Sequence, residues 1–317
     1  MIGVARPLLF LLLPLAAAAD AHGLSQDPDG VSQAPSGVEG TTLSLGEVDQ
    51  RLTVPVAVGG QGPYNFIIDT GAERTVVSRE LAGTLQLAPG QPVSMVSMTG
   101  TNTVSTVIVP ELAITSIGDR HTIVAPALEA RNLGASGLLG IDTLSKHMVT
   151  IDFETGVMTV RKSERRRPAY SHDPGEIVVT AKSQFGQLIV TDAHYGDTRI
   201  QVVLDTGSQI TMGNQAFQRR VRSRTAAPKT VELTSVTGAR MAADYTLVPD
   251  INIGGVKFDW MPVAFAEVAP FRKFGLERKP AIMLGMDALR SFRRVEIDFP
   301  NRQVRFLMPR PGYVPRI

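Results

Sequence analysis

A short stretch that occurs twice limits what this chain can fold into more than any other feature. The first copy is Phe66-Ile67-Ile68-Asp69-Thr70-Gly71-Ala72 and the second is Val202-Val203-Leu204-Asp205-Thr206-Gly207-Ser208. In each, an apolar run with strand character ends abruptly in an acid. The Thr hydroxyl can hydrogen-bond beside that acid, and the Gly lets backbone come close to it. One Asp-Thr-Gly is an ordinary turn sequence, whereas two in matching contexts point to a duplicated unit.

The repeat extends well beyond the motif. Gly60 to Asp69 and Gly196 to Asp205 are equally spaced, so the two turn-and-strand units superimpose with an offset of 136 (205 − 69). Thr99-Gly100 then matches Thr237-Gly238, and Val109-Pro110 matches Val248-Pro249. Gly137-Leu138-Leu139-Gly140-Ile141-Asp142 matches Ile282-Met283-Leu284-Gly285-Met286-Asp287, and Val149-Thr150-Ile151-Asp152-Phe153 matches Val295-Glu296-Ile297-Asp298-Phe299. The offset grows to 146 (295 − 149) because loops differ in length, mainly in the basic stretch Val268 to Pro280. A repeat this long means two similar lobes rather than a solenoid of short units.

Each lobe reads as mainly β. Leu52, Val54, Val56 and Val58 alternate as a strand does, and Gly59 to Pro63 turns the chain back toward Asp69. Both copies close with strand, turn and strand, at Glu154-Thr155-Gly156 and Pro300-Asn301-Arg302. Helical patterns are few: Ser78 to Leu85, Thr143 to His147 and Ala288 to Phe292. Asp142 and Asp287 stand where helix N-caps are expected, and Trp260 is expected to be a packing residue.

Composition serves chiefly to exclude. The 317 residues suffice for two cores, and 32 Lys and Arg against 30 Asp and Glu leave no uniform field for nucleic acid. With no Cys there are no disulfides, thiolate metal sites or Cys nucleophiles. The five His (His22, His121, His147, His172, His194) are scattered and expected on surfaces or loops, so no metal is expected. No Walker-type loop or Gly-x-Ser-x-Gly elbow occurs, and Gly60-Gln61-Gly62 lacks the third Gly of a dinucleotide loop. No cofactor is called for.

Arg6, the apolar run Pro7 to Ala19 and the small residues around Ala19 to Ala21 have the layout of a secretory signal peptide over 1–21. The expected organisation continues with a flexible Gly/Ser/Pro-rich spacer (22–44), a first lobe (45–163) and a charged linker (164–175) holding Arg165-Arg166-Arg167. A second lobe (176–309) and a tail (310–317) complete it. The mature chain is then expected to be exported, periplasmic or extracellular, with no membrane span once the signal is cut.

Two carboxylates delivered by equivalent loops of twin lobes can meet at the axis between them. Held close, they cannot both ionise comfortably, so they share one proton. Such a dyad can polarise a water from one side and donate a proton from the other, without metal or covalent intermediate.

These two Asp-Thr-Gly motifs, each paired with a downstream apolar-apolar-Gly, resemble the aspartic proteases. The short lobes and Asp69-Thr70-Gly71-Ala72 are most similar to the retropepsin-like branch, with the two lobes fused in one chain across about residues 46 to 309. The resemblance implies a mainly β, bilobal fold of two pseudo-symmetric retropepsin-like β-barrel lobes, acting as a monomer on a polypeptide substrate. It implies a catalytic Asp69/Asp205 dyad, braced by Thr70 and Thr206 with Gly71 and Gly207 allowing tight packing. It also implies flap tips over the cleft at Thr99, Gly100, Thr237 and Gly238, without the flap Tyr of the pepsin-like branch. The rival expectations are a non-catalytic peptide-binding module using the same cleft and a purely structural β domain.

Overall fold

The apolar runs that lead into each acid become strands covered on both faces. In the computed structural model, which describes residues 41–44, 46–48, 51–163, 175–221 and 228–309, Phe66, Ile67 and Ile68 end the strand Gln61–Ile68 fully buried. That strand runs parallel to Gly137–Leu139, and its counterpart Gln201–Leu204 runs parallel to Ala281–Leu284. Central parallel pairing explains why these segments are continuously apolar rather than alternating. Val76–Ser78 and Met212–Gly213 flank the two pairs on the other side, antiparallel. The chain is mainly β and bilobal.

An eight-stranded sheet belongs to the first lobe alone, while a fifteen-stranded sheet takes in the second lobe and three strands of the first. The seam between lobes is built from the repeat's own two copies. His147–Asp152 pairs antiparallel with Arg294–Asp298, setting Val149 opposite Ile297, Thr150 opposite Glu296 and Ile151 opposite Val295. Because Thr150 and Glu296 are equivalent positions of the repeat, the pseudo-two-fold axis passes between them. Val157–Lys162 and Thr41–Ser44 extend the seam on one side, Gln303–Leu307 and Glu176–Gln184 on the other.

The pairing of Thr41–Ser44 with Val157–Lys162 corrects the expected limit of the spacer, which was drawn through residue 44. The strand is needed as the sheet partner that Glu176–Gln184 supplies in the second lobe. The expected signal peptide, the spacer up to 40, the linker from 164 to 174 and the tail lie outside the described residues.

One apolar cluster, including Phe66, Ile151, Phe292 and Val295, runs through both lobes, so they are joined by core as well as by sheet. Two smaller clusters sit beneath the cleft, around Leu133 and Leu138 in the first lobe and around Phe271 and Met283 in the second.

The helices are short. Arg79–Thr84 forms where expected, capped by Ser78 Oγ, which accepts from Leu81 N at 3.0 Å. The next two expected helices begin two residues early, as Ile141–Leu144 and Met286–Leu289. Their N-cap positions are Gly140 and Gly285, so Asp142 and Asp287 sit inside the first turn and are not the caps expected. Ala130–Leu133, Gln215–Gln218 and Ala269–Lys273 were not anticipated, since four or five residues carry too little periodicity to read. Among the described residues no helix is long and apolar enough to cross a membrane.

Two further expectations are corrected. Trp260 is 57% exposed on an outward-facing position of Val256–Phe265, opposite Pro249. His147 is buried because it opens the seam strand; its Nδ1 lies 3.1 Å from Thr143 O, and burial pulls its pKa below the usual imidazole range.

Candidate active site

Each Asp leaves the end of a buried parallel strand, held by a last ladder bond: Asp69 N donates to Leu139 O and Asp205 N to Leu284 O, both at 3.0 Å. The following threonines then lock the two loops together. Thr70 N donates to Thr206 Oγ1 at 3.2 Å and Thr206 N to Thr70 Oγ1 at 3.1 Å. The hydroxyls donate onward across the axis, Thr70 Oγ1 to Leu204 O (3.0 Å) and Thr206 Oγ1 to Ile68 O (2.8 Å). Both threonines are buried, so every polar group of this lattice is paired away from water.

Gly71 and Gly207 explain themselves by what a side chain would strike. A methyl on Gly71 would come within 2.7 Å of Asp205 Oδ1, and one on Gly207 within 2.5 Å of Asp69 Oδ2. Each carboxyl thus rests on the glycine of the opposite lobe, and the two acids hydrogen-bond to each other through their side chains. Both remain half-buried, open only toward the cleft.

The pair is not symmetric. Asp69 Oδ1 accepts from Gly71 N and Ala72 N, both at 2.9 Å, while Asp205 Oδ1 accepts from Gly207 N at 3.2 Å. Burial and then the neighbouring charge of Asp69 push the Asp205 carboxyl up to about 8, against the opposing pull of the Gly207 and Ser208 N–H groups. The two acids titrate as one pair, and with burial opposing a second negative charge they hold one proton between them.

Asp142 and Asp287 brace these loops from behind. Asp142 accepts from Thr75 N (2.9 and 3.0 Å) and Thr75 Oγ1 (2.7 Å); Asp287 does the same with Thr211 N (3.0 Å to both oxygens) and Thr211 Oγ1 (2.6 Å). Burial raises the Asp287 pKa despite these donors. Read as helix caps, these acids instead tie each helix start to the loop that presents its catalytic candidate.

Above the acids lies a cavity of about 530 Å³ between the lobes. Two hairpins roof it. One joins Pro89–Ser97 to Gly100–Ile114, with Thr99 exposed and Gly100 at positive φ (139°); the other runs from Lys229–Thr234 to Arg240–Ile253, with Thr237 and Gly238 at its tip. The hairpins line the cavity with the stretches that lead up to those tips, Val93 to Met98 and Glu232 to Val236. Each tip reaches the opposite lobe. Met98 packs on the second lobe's cluster and its carbonyl accepts from Ala269 N at 3.0 Å, while Val236 packs on the first lobe's cluster around Leu133.

Sequence reasoning missed Ser97 and Ser235, although Ser-x-Thr-Gly recurs at the same offset as Thr99 and Thr237 and the signal was there to find. It also missed the ion pair across the cleft edge, Lys273 Nζ to Glu73 Oε2 at 2.7 Å, for which no local signal exists. Among the described residues no group of three or more His, Asp or Glu gathers as a metal site.

Comparison with known families divides the chain as its internal repeat does. Residues 54–146 match the family described as gag-polyprotein putative aspartyl protease, and residues 191–288 match the family described as Aspartyl protease. No curated protein matches the chain. Each match spans one Asp-Thr-Gly loop and the Gly-containing strand end that supports it, and together they cover both halves of the roofed cleft. The chain belongs to the aspartyl proteases, with two of their domains in tandem.

Proposed function

We propose that this protein is an endopeptidase, complete in a single chain, in which Asp69 and Asp205 activate a water for attack on a peptide carbonyl. The observation that carries this reading is the contact between the two carboxyls, each seated on the other lobe's glycine. Asp69 is the base that draws a proton from the water, and Asp205 donates its proton to the carbonyl oxygen. Asp69 then gives its proton to the leaving nitrogen while Asp205 takes one back from a hydroxyl of the tetrahedral diol, so that the C–N bond breaks, the carboxyl product forms and the dyad returns to its starting state. Thr70, Gly71, Thr206 and Gly207 hold the geometry.

The substrate is a polypeptide held extended between floor and roof, its main chain paired as an added strand would be. Residues at the hairpin tips, including Thr99, Gly100, Thr237 and Gly238, must move for it to enter. Since both acids come from one chain, a monomer suffices. The N-terminal pattern supports export.

Cleavage of a quenched fluorescent peptide library tests the reading. The unmodified protein is expected to cleave, Asp69→Asn and Asp205→Asn are expected to cleave nothing, and a statine-type peptide is expected to inhibit, because its hydroxyl matches the tetrahedral species between the acids. Binding without cleavage by the unmodified protein would transfer support to the peptide-binding module.

A further inference from the structure

Gln187 stands beside the dyad without belonging to either Asp-Thr-Gly loop. It follows a two-residue turn, Phe185 and Gly186, both at positive φ (53° and 89°), which links Glu176–Gln184 to Gln187–Val190. That turn presses on the first lobe: a methyl on Gly186 would collide with Ile141. The second lobe thereby delivers Gln187 to the first lobe's active loop, where it is 1% exposed and lines the cleft.

Its amide is half used. Nε2 donates to Gly71 O at 2.6 Å, and the reverse orientation would set two oxygens against each other. Oε1 is buried with no hydrogen-bond partner. A side chain serving only to strap the lobes gains nothing from an orphan acceptor, which destabilises the empty site. The carbonyl that Nε2 engages matters too. Gly71 C=O and Ala72 N–H belong to one peptide unit, and that N–H donates to Asp69 Oδ1 at 2.9 Å. Hydrogen bonds in series polarise one another, so pulling on Gly71 O strengthens Ala72 N–H as a donor to the carboxylate.

Resting on the reading of Asp69 and Asp205 as the dyad, we propose that Gln187 is a positioning residue that couples bound polypeptide to Asp69. Its Oε1 accepts one main-chain N–H of the substrate, and its Nε2, through the Gly71–Ala72 peptide, holds the negative charge on Asp69. Substrate binding then completes a chain of three amide groups ending at the base. The other charged side chains lining the cleft are Asp205, Glu73, Arg74, Glu232 and Lys273. Glu73 is paired with Lys273 and Glu232 with Arg240, so these pairs are common to every variant below.

The test combines Gln187→Met with a series of peptide substrates in which each main-chain N–H near the scissile bond is replaced in turn by an ester oxygen. Gln187→Met should lose about tenfold in kcat/KM, mostly through kcat, as expected for one hydrogen bond acting on a charged group. Its acid limb should move to higher pH, because a carboxylate with weaker donors takes up a proton more readily. At one ester position the unmodified enzyme should lose about tenfold while Gln187→Met loses nothing further. Gln187→Glu keeps the acceptor and, when protonated, the donor, so its activity should approach the unmodified level only at low pH.

An acid limb that stays in place in Gln187→Met, or ester penalties identical in the two proteins, overturns the proposal whatever the melting temperature does. If the unmodified protein cleaves nothing, the dyad reading fails separately. Calorimetric binding of the ester series to the unmodified protein then decides the N–H contact: one sensitive position upholds it, and uniform affinities overturn it.

Discussion

A carboxylic acid that keeps its proton to about pH 8 in the folded chain, against 3.8 for the ordinary group, ties stability to pH. Below about pH 4 Asp205 is protonated both folded and unfolded, and its contribution to stability is fully present. From there to about 8 the unfolded chain releases the proton while the folded chain retains it, so stability declines by on the order of 1 kcal/mol per pH unit. Above 8 that contribution is lost. Asp205→Asn, which resembles the protonated acid, should therefore abolish cleavage yet melt higher than the unmodified protein at neutral pH, the two melting curves converging below pH 4. Thermal melts across that range check it. The threonines act in the opposite sense. Thr206→Val leaves Thr70 N and Ile68 O buried without partners, and at roughly 1–3 kcal/mol for each orphan it should destabilise by about 2–6 kcal/mol in urea unfolding with unchanged m. The two acids, two threonines and two glycines were legible as residues, because duplication marks them. That the pair is driven to share a proton was not, since burial and the N–H groups around the two carboxyls decide it, and neither has a sequence signature.

At the scale of elements, the apolar runs before each acid declared themselves as strands, and the helix Arg79–Thr84 lies within the stretch Ser78 to Leu85 that read as helical. Gly100 and Gly238 marked two turns in the chain, but what each tip touches was out of reach. Met98 and Val236 read as ordinary apolar residues until the fold sets each on the other lobe. The first hairpin is latched by a backbone bond from Ala269, the first residue of Ala269–Lys273. Proline is tolerated at that helical position, where its missing N–H does no harm to the helix. Ala269→Pro should thus release Met98 O while leaving the helix in place. Amide exchange over residues 97–100 is expected to accelerate by at least about tenfold, the equivalent of roughly 1.4 kcal/mol of local opening. Exchange over residues 235–239 should stay as it was, because Val236 rests on a different partner.

At the scale of the whole molecule, the lobes share a sheet, a core and the threonine lattice, and none of these is complete in one half. Val149 and Ile151 face Ile297 and Val295 across the seam, all fully buried. Residues 40–163 expressed alone would expose that strand edge, a template for pairing with a second copy. They should elute as a dimer or larger species and cleave nothing unless residues 175–309 are supplied in trans. Size-exclusion chromatography with a peptide assay checks both. The repeat, its drift in offset and its paired acids were written in the chain because they depend on residue identity at fixed spacing, and spacing survives without coordinates. The crossing of each hairpin to the opposite lobe, the brace from Asp142 and Asp287, the Lys273–Glu73 pair and the arrival of Gln187 at Gly71 join residues far apart in sequence. Only packing two similar but unequal lobes about one axis decides such contacts, because each depends on where a neighbour's backbone has already been placed.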